Sequence, residues 1–303
     1  MPSYAVLHRS GDLRRRAEEA VAALADCRCC PHECGVDRLS GETGFCGVGR
    51  HALVASYGPH FGEEPPLVGR RGSGTIFFAG CNMRCDYCQN HDISQERHGR
   101  AVDARGLADI MLQLQDMGCH NVNLVTPSHV VPHLLEALDL AAADGLRLPL
   151  VYNSGGYDSL SALELLDGVV DIYMPDAKYD DEATARSFSN VEDYRRIMRS
   201  ALREMHRQVG DLVLEDGVAV RGMVIRHLVL PQGMSGSDGV LRFIAEELSR
   251  DSYVNIMDQY RPGWKVLSSP QEKHRPLARR TSGEEHRRAL QAARSQGLHR
   301  LAR

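Results

Sequence analysis

The sequence predicts an α/β fold, an incomplete (β/α)6 barrel with an N-terminal Cys-rich extension. Three observations carry that prediction. From Gly74 onward, short apolar runs alternate with amphipathic stretches at helical spacing, the pattern of parallel strands joined by crossover helices. Polar residues follow those apolar runs, at the C-terminal strand ends where parallel barrels carry their chemistry. Before Gly74 the texture changes, and cysteines, glycines and Pro31 crowd the stretch from Cys27 to Gly49. Such a segment suits tight turns around a metal better than a packed core.

The elements are expected in this order. Residues 13 to 25 read as a short amphipathic helix, and residues 52 to 70 as a Pro/Gly-rich connector with little regular structure. Thr75 to Ala79 is an apolar strand bounded by glycines. Leu107, Ile110, Met111, Leu114 and Met117 mark one face of a helix that Asp103 can cap. Asn121 to Thr126 is the second strand, followed by a helix with Leu134, Leu135 and Leu138. Leu148 to Asn153 is the third strand, Ser159 to Leu166 a short helix, and Val169 to Met174 the fourth strand. A longer helix carries Tyr194, Ile197, Ala201, Met205 and Val209; a long β stretch, Val218 to Leu230, follows it. Next come a helix with Leu241, Ile244 and Leu248, the sixth strand at Val254 to Met257, and a terminal helix from Glu284 to Leu298.

With 303 residues, 43% hydrophobic and 25% charged, the chain suits one large barrel or two domains. The expected division places an N-terminal helix and Cys-rich metal-binding segment in residues 1–70. The partial barrel and its C-terminal helix then occupy residues 71–303. A net charge of −4 and scattered His and Arg residues give no basic field for nucleic acid. No apolar run reaches the roughly eighteen residues of a membrane span, and the polar, Arg-rich N-terminus lacks the pattern of a signal peptide. A cytoplasmic protein is therefore expected. In a reducing cytosol its nine cysteines serve metal or redox chemistry rather than disulfides.

The stretch that organises the chain is Gly72-Ser-Gly-Thr-Ile-Phe-Phe-Ala-Gly-Cys81-Asn-Met-Arg-Cys85-Asp-Tyr-Cys88-Gln-Asn90. Directly after a strand it offers Cys81, Cys85 and Cys88, spaced C-x3-C-x2-C. One such loop can fold three thiolates around one face of an iron–sulfur cube, whose irons normally take four cysteines. No further cysteine follows until Cys119, so one iron is left open, as a catalytic metal site keeps a free position. Zinc is the competing reading, with His91 as its fourth ligand.

Upstream, Cys27, Cys30, Cys34 and Cys46 give C-x2-C-x3-C-x11-C, a closed set that suits a second iron–sulfur cluster or a structural zinc. Cys29 either replaces Cys30 as ligand or stands by. His32 reads as a loop histidine, since the cysteines fill the site.

At the strand ends stand Asn123 and Thr126-Pro-Ser-His129, Asn153-Ser-Gly-Gly-Tyr157, Asp176-Ala-Lys178, Arg226-His227 and Asp258-Gln-Tyr260. Asp176 and Lys178 are either a ligand-binding pair or a surface ion pair of little worth. Gly155 and Gly156 allow close backbone approach but are as common in a plain turn. His227, inside an apolar strand, reads first as a core histidine.

From about Cys27 to Leu298 the chain resembles the pyruvate formate-lyase activating enzyme-like branch of the radical S-adenosylmethionine (SAM) proteins. It is most similar to an uncharacterised subgroup with an extra N-terminal cysteine segment. The passages carrying the resemblance are Cys30-Pro-His-Glu-Cys34, Gly41-Glu-Thr-Gly-Phe-Cys-Gly47, Gly62-Glu-Glu-Pro-Pro66, Gly80 to Asn90, Asn121 to His129, Met174-Pro-Asp-Ala-Lys178, Arg226 to Pro231 and Asn255 to Tyr260. The resemblance implies a radical SAM barrel and a [4Fe–4S] cluster on Cys81, Cys85 and Cys88, whose open iron holds SAM. It also implies reductive SAM cleavage to methionine and a 5′-deoxyadenosyl radical, which takes hydrogen from a substrate. By position, Tyr87 lies by the adenine, and Asp176 and Lys178 lie near the SAM carboxylate; Asn123 and Asn153 join the cofactor-binding set. Where activating enzymes carry Gly-Gly-Glu, this chain reads Val125-Thr-Pro-Ser-His129, so the SAM amino group is expected at Thr126 or a backbone carbonyl. The implied partners are an electron donor such as flavodoxin or ferredoxin, and a glycyl radical enzyme as substrate. A small molecule or another macromolecule is the alternative substrate, and a non-catalytic zinc-binding interaction protein the alternative from another class.

Overall fold

Six parallel strands, each feeding a helix or loop that crosses back to the next, build the frame of the molecule. The computed structural model describes residues 1–302. Among them are nine strands: β1 (Ala52–His60), β2 (Ser73–Phe78), β3 (Arg100–Val102), β4 (Val122–Val125), β5 (Leu150–Ser154), β6 (Ile172–Pro175), β7 (Val213–Glu215), β8 (Val218–Leu228) and β9 (Tyr253–Met257). The sheet runs β3-β1-β2-β4-β5-β6-β8-β7, with β9 also paired to β8. Neighbours along β2-β4-β5-β6-β8 and β8-β9 are parallel. No pairing joins β9 back to the first strands among the described residues. The result is the expected incomplete (β/α)6 barrel.

The strands form because their sequences are apolar on both faces. Every residue of β5 and β6 is buried, as parallel strands covered by crossover helices require. The helices sit where periodicity placed them. Asp103 caps helix Ala104–Asp116 by accepting from the Gly106 N–H at 2.8 Å, and Ser159 caps Leu160–Leu165 in the same way. Helix Asp12–Ala22 packs on Val131–Ala143, and Asp139 there accepts from Arg14 and pairs with His8. No helix among the described residues is long and apolar enough to cross a membrane.

One expectation is corrected. The range 52–70, read as an irregular connector, contains β1, which lies antiparallel to β2 from Val54 to His60. Gly58 and Pro59 disguise it as loop. Pro59 is tolerated because β3 covers only Ala52–Val54 on the other side. Its missing N–H therefore falls on a free edge. Helix Tyr4–Ser10 and the short strands β3 and β7 also lay beyond the sequence pattern, being too short for a periodic signal.

Candidate active site

The loop after β2 is held in place by backbone on both sides. Gly80 has φ 83°, and a Cβ there would stand 2.8 Å from both the Cys46 carbonyl oxygen and a Val48 methyl, so the close approach demands glycine. The Arg84 N–H donates to the Ser189 carbonyl at 3.0 Å, the Asp86 N–H to Phe188 at 2.7 Å, and the Asn82 side chain to Tyr157 at 2.6 Å. Asp86, between two of the cysteines, is clamped by Lys273 (2.7 Å), His274 (3.0 Å) and Lys265 (3.3 Å). Burial pushes its carboxyl up, but Lys273 and His274 outweigh that and hold it below the ordinary value.

Each of the three cysteine sulfurs in this loop has a hydrogen-bonding neighbour. Cys81 Sγ accepts from the Met83 N–H at 3.3 Å, Cys85 Sγ meets Ser189 Oγ at 3.0 Å, and Cys88 Sγ meets Ser94 Oγ at 3.2 Å. Ser189 itself ends a buried chain, Tyr87–Tyr179–Ser189, with contacts of 2.5 and 2.8 Å. Burial pushes the Cys85 thiol up to about 11, and the Cys81 thiol higher still.

All three cysteines line one cavity of about 460 Å³, and Thr126, Asn153, Asp176, Lys178 and Arg226 line it as well. Thr126 has φ 62°, left-handed backbone that a β-branched residue rarely adopts and that marks strained functional positions. Its N–H donates to the Asn153 carbonyl at 2.9 Å. Asp176 receives Lys178 Nζ at 2.5 Å and Arg226 Nε at 2.8 Å, and Arg226 also donates to Asn153 Oδ1 at 2.7 Å. Burial acts against Asp176 ionising, yet Arg226 and Lys178 overcome it and hold its carboxyl below the ordinary range. Burial likewise pulls Lys178 down, and Asp176 more than restores it. The group stays charged: two cations and the Asp176 carboxylate, with Glu63 lining the same cavity. A larger hollow of about 830 Å³ lies beside β9 and helix Gly283–Ser295, but its lining has no cysteine and no buried ion pair.

Of the residues singled out in the sequence, Cys81, Cys85, Cys88, Thr126, Asn153, Asp176 and Lys178 come together on this cavity. Tyr87 does not. It is buried behind the loop, bonded to Tyr179 and edge-on to Tyr260 at 5.6 Å. Asn123 is fully buried in β4, and both atoms of its amide lack a partner. His91 stacks on Trp264 rather than joining the cysteines. His227 is a satisfied core histidine, bonded to the Ala177 carbonyl at 2.6 Å and Ser237 Oγ at 2.9 Å. His32 bonds the Asn82 carbonyl at 2.8 Å and stacks on Phe45.

Sequence reasoning left out Ser189, and named Glu63, Glu64 and Arg226 without a role. Glu64 is buried, accepts from Asn255 at 3.1 Å and lies 3.9 Å from Arg226, with its second oxygen unpartnered. Two glutamates before Pro-Pro, with an Arg on an apolar strand, were the available signal.

A family model described as the Radical SAM superfamily matches residues 75–238. Uncharacterized protein MJ0674 of Methanocaldococcus jannaschii is 32% identical over 291 residues, covering 93% of this chain and 78% of that protein. The chain belongs to the radical SAM superfamily. Among solved structures, it is similar to the FeFe-hydrogenase maturase HydG from Carboxydothermus hydrogenoformans at TM-score 0.48 and 12% identity, over 73% of this chain and 50% of that one. It is also similar to TYW1 with a lysine-pyruvate adduct bound, at TM-score 0.35 and 11% identity, over 55% of this chain and 59% of that one. The chain thus spans about half the length of the maturase.

The family implies a [4Fe–4S] cluster and SAM, and the residues present fit both. Three thiols line one cavity and each has a hydrogen-bonding neighbour, the kind of contact that tunes a cluster's potential. On the same cavity, Asp176, Lys178 and Arg226 carry charges that match a zwitterion.

Proposed function

This radical SAM enzyme, we propose, binds the methionine end of SAM between the cysteine loop and the Asp176–Lys178–Arg226 group, and removes hydrogen from a substrate. The observation that carries the reading is the shared cavity, lined both by three thiols and by a partly buried group of two cations and a carboxylate. Bound through Cys81, Cys85 and Cys88, a [4Fe–4S] cluster supplies the electron that cleaves SAM to methionine and a 5′-deoxyadenosyl radical.

The chain's own residues do the rest. Lys178 and Arg226 are the cations for the SAM carboxylate, and Asp176 keeps both oriented and charged. Thr126 and the neighbouring backbone receive the amino group, and its strained φ fits a residue held by its surroundings. Partial burial of the thiols and of Lys178, whose side chain is 16% exposed, lowers the dielectric in which the charges act.

For the hydrogen donor, we favour a glycine in a partner polypeptide, with a flavodoxin- or ferredoxin-type protein as electron source. The support is the likeness of the Gly80–Asn90 and Met174–Lys178 passages to activating enzymes.

The test needs no knowledge of the substrate. Cluster-loaded protein, incubated anaerobically with SAM and a strong reductant, is expected to form 5′-deoxyadenosine and methionine. Cys85→Ala should form none while retaining the circular dichroism of the folded barrel, because the loop lies at the barrel rim. Undiminished 5′-deoxyadenosine from that variant would sink the assignment.

A further inference from the structure

Residues 27–49 form turns and bends with no helix or strand, yet a fully buried arginine stands in their midst. Arg38 is 0% exposed. Its Nε donates to the Gly49 carbonyl at 3.2 Å and its Nη1 to the His129 carbonyl at 3.0 Å. The same Nη1 lies 3.6 Å from both Cys27 Sγ and Cys29 Sγ. Its Nη2 has no partner.

A buried guanidinium needs a counter-charge. The groups around Arg38 that can become anionic are thiols. Cys27 and Cys29 stand 3.7 Å apart beside it. Cys34 Sγ accepts from the Phe45 N–H at 3.4 Å, which brings it against the residue preceding Cys46. Thiolates bound to a metal group would supply the missing negative charge.

We propose that this segment holds a second [4Fe–4S] cluster, on Cys27, Cys34, Cys46 and one of the adjacent pair Cys29 and Cys30. A four-cysteine zinc site and a four-iron cluster would both bring anionic sulfur to Arg38, but only the cluster also brings inorganic sulfides. The sulfides of the cluster also give the unpartnered Nη2 something to donate to, and hydrogen bonds to sulfur are a recognised feature of such sites.

The site sits against the loop of the first. The Cys46 carbonyl touches Gly80, Arg84 donates to the Phe45 carbonyl at 2.9 Å, and His32 bonds Asn82. The proposal stands apart from the SAM chemistry, since it concerns cluster binding by the segment alone.

The experiment is a count of metal and sulfide on the full chain, reconstituted anaerobically with ferrous iron and sulfide, with zinc measured in parallel. Wild type is expected to bind about eight irons and about eight sulfides. The variant Cys81→Ala/Cys85→Ala/Cys88→Ala should retain about four of each, with a [4Fe–4S] Mössbauer spectrum indifferent to added SAM. The variant Cys27→Ala/Cys34→Ala/Cys46→Ala should lose that half and keep a cluster whose EPR signal SAM perturbs. Wild type with only about four irons overturns the proposal. So does a Cys81/Cys85/Cys88 variant holding no iron, or a single zinc without sulfide. Because wild type and that variant leave the segment intact, misfolding of the Cys27/Cys34/Cys46 variant cannot hide the answer.

Discussion

Arg226 on β8 reaches across to Asp176 at the end of β6, 2.8 Å from guanidinium to carboxylate, over a parallel bridge between the same two residues. That contact anchors the charged wall of the cavity, because Asp176 then has one oxygen for Arg226 and the other for Lys178.

Lys178→Met should therefore leave the fold intact, since Arg226 still balances Asp176. SAM affinity should fall roughly ten- to a hundredfold, as about 1.5–3 kcal/mol attaches to a charge-assisted hydrogen bond. Asp176→Asn should instead lower the melting temperature, by leaving two partly buried cations without their carboxylate. Titrating SAM into cluster-loaded Lys178→Met and following the EPR signal checks the first claim. An unchanged dissociation constant would mean that Lys178 does not meet SAM.

Thr126 stores backbone strain at φ 62°, which costs on the order of 1–3 kcal/mol. Thr126→Gly should relieve it, so that thermal stability stays level or rises even though glycine adds freedom to the unfolded chain. SAM affinity should nonetheless drop. Calorimetry gives the first number and EPR titration the second; a fall in stability with unaltered affinity would make Thr126 purely structural.

The Ser189 hydroxyl beside Cys85 Sγ ends the Tyr87–Tyr179 chain. A hydrogen bond to a cluster thiolate favours the reduced, more negative state, so its loss lowers the potential. At about 0.5–1.5 kcal/mol per bond, and about 59 mV per tenfold for one electron, Ser189→Ala should shift the cluster downward by roughly 20–60 mV. Tyr87→Phe, two bonds further away, should shift it less. An EPR-monitored redox titration reads both, and equal shifts would disprove a local effect.

His133 is buried against the Gly49 carbonyl at 3.2 Å, and burial, aided by the Arg38 charge, depresses it to about 3. The unfolded chain takes up its proton near pH 6.5, while the folded chain does not until much lower pH. Between those values the unfolded state binds more protons, so stability is full above about pH 6.5 and declines as pH falls toward 3. At pH 5 the loss from this one group is about 2 kcal/mol. His133→Leu should flatten the difference in denaturant midpoint between pH 7 and pH 5, and an undiminished slope would assign the acid sensitivity elsewhere.

The six parallel strands were legible because each is a short apolar run between turn residues, and the helix faces because their spacing is periodic. Strand β1 was not, since Gly58 and Pro59 imitate a loop and only pairing with β2 makes it a strand. Tyr87, which the resemblance sets by the adenine, packs on Tyr179 and Tyr260, contacts that no reading of the cysteine loop alone supplies.

By itself, the sequence determined the order of elements, the cysteine sets and the polar residues at strand ends, because periodicity and close spacing are local properties of a chain. Tertiary structure alone decided which of these groups meet. Arg226 is 50 residues from Asp176, Ser189 is 104 from Cys85, and Asn255 is 191 from Glu64. Such pairs depend on strand register and on which strands become neighbours, and no short window of sequence carries either. The same holds for Arg38, an ordinary basic residue in the sequence, which only the packing of Gly49, His129 and the thiols turns into a buried cation.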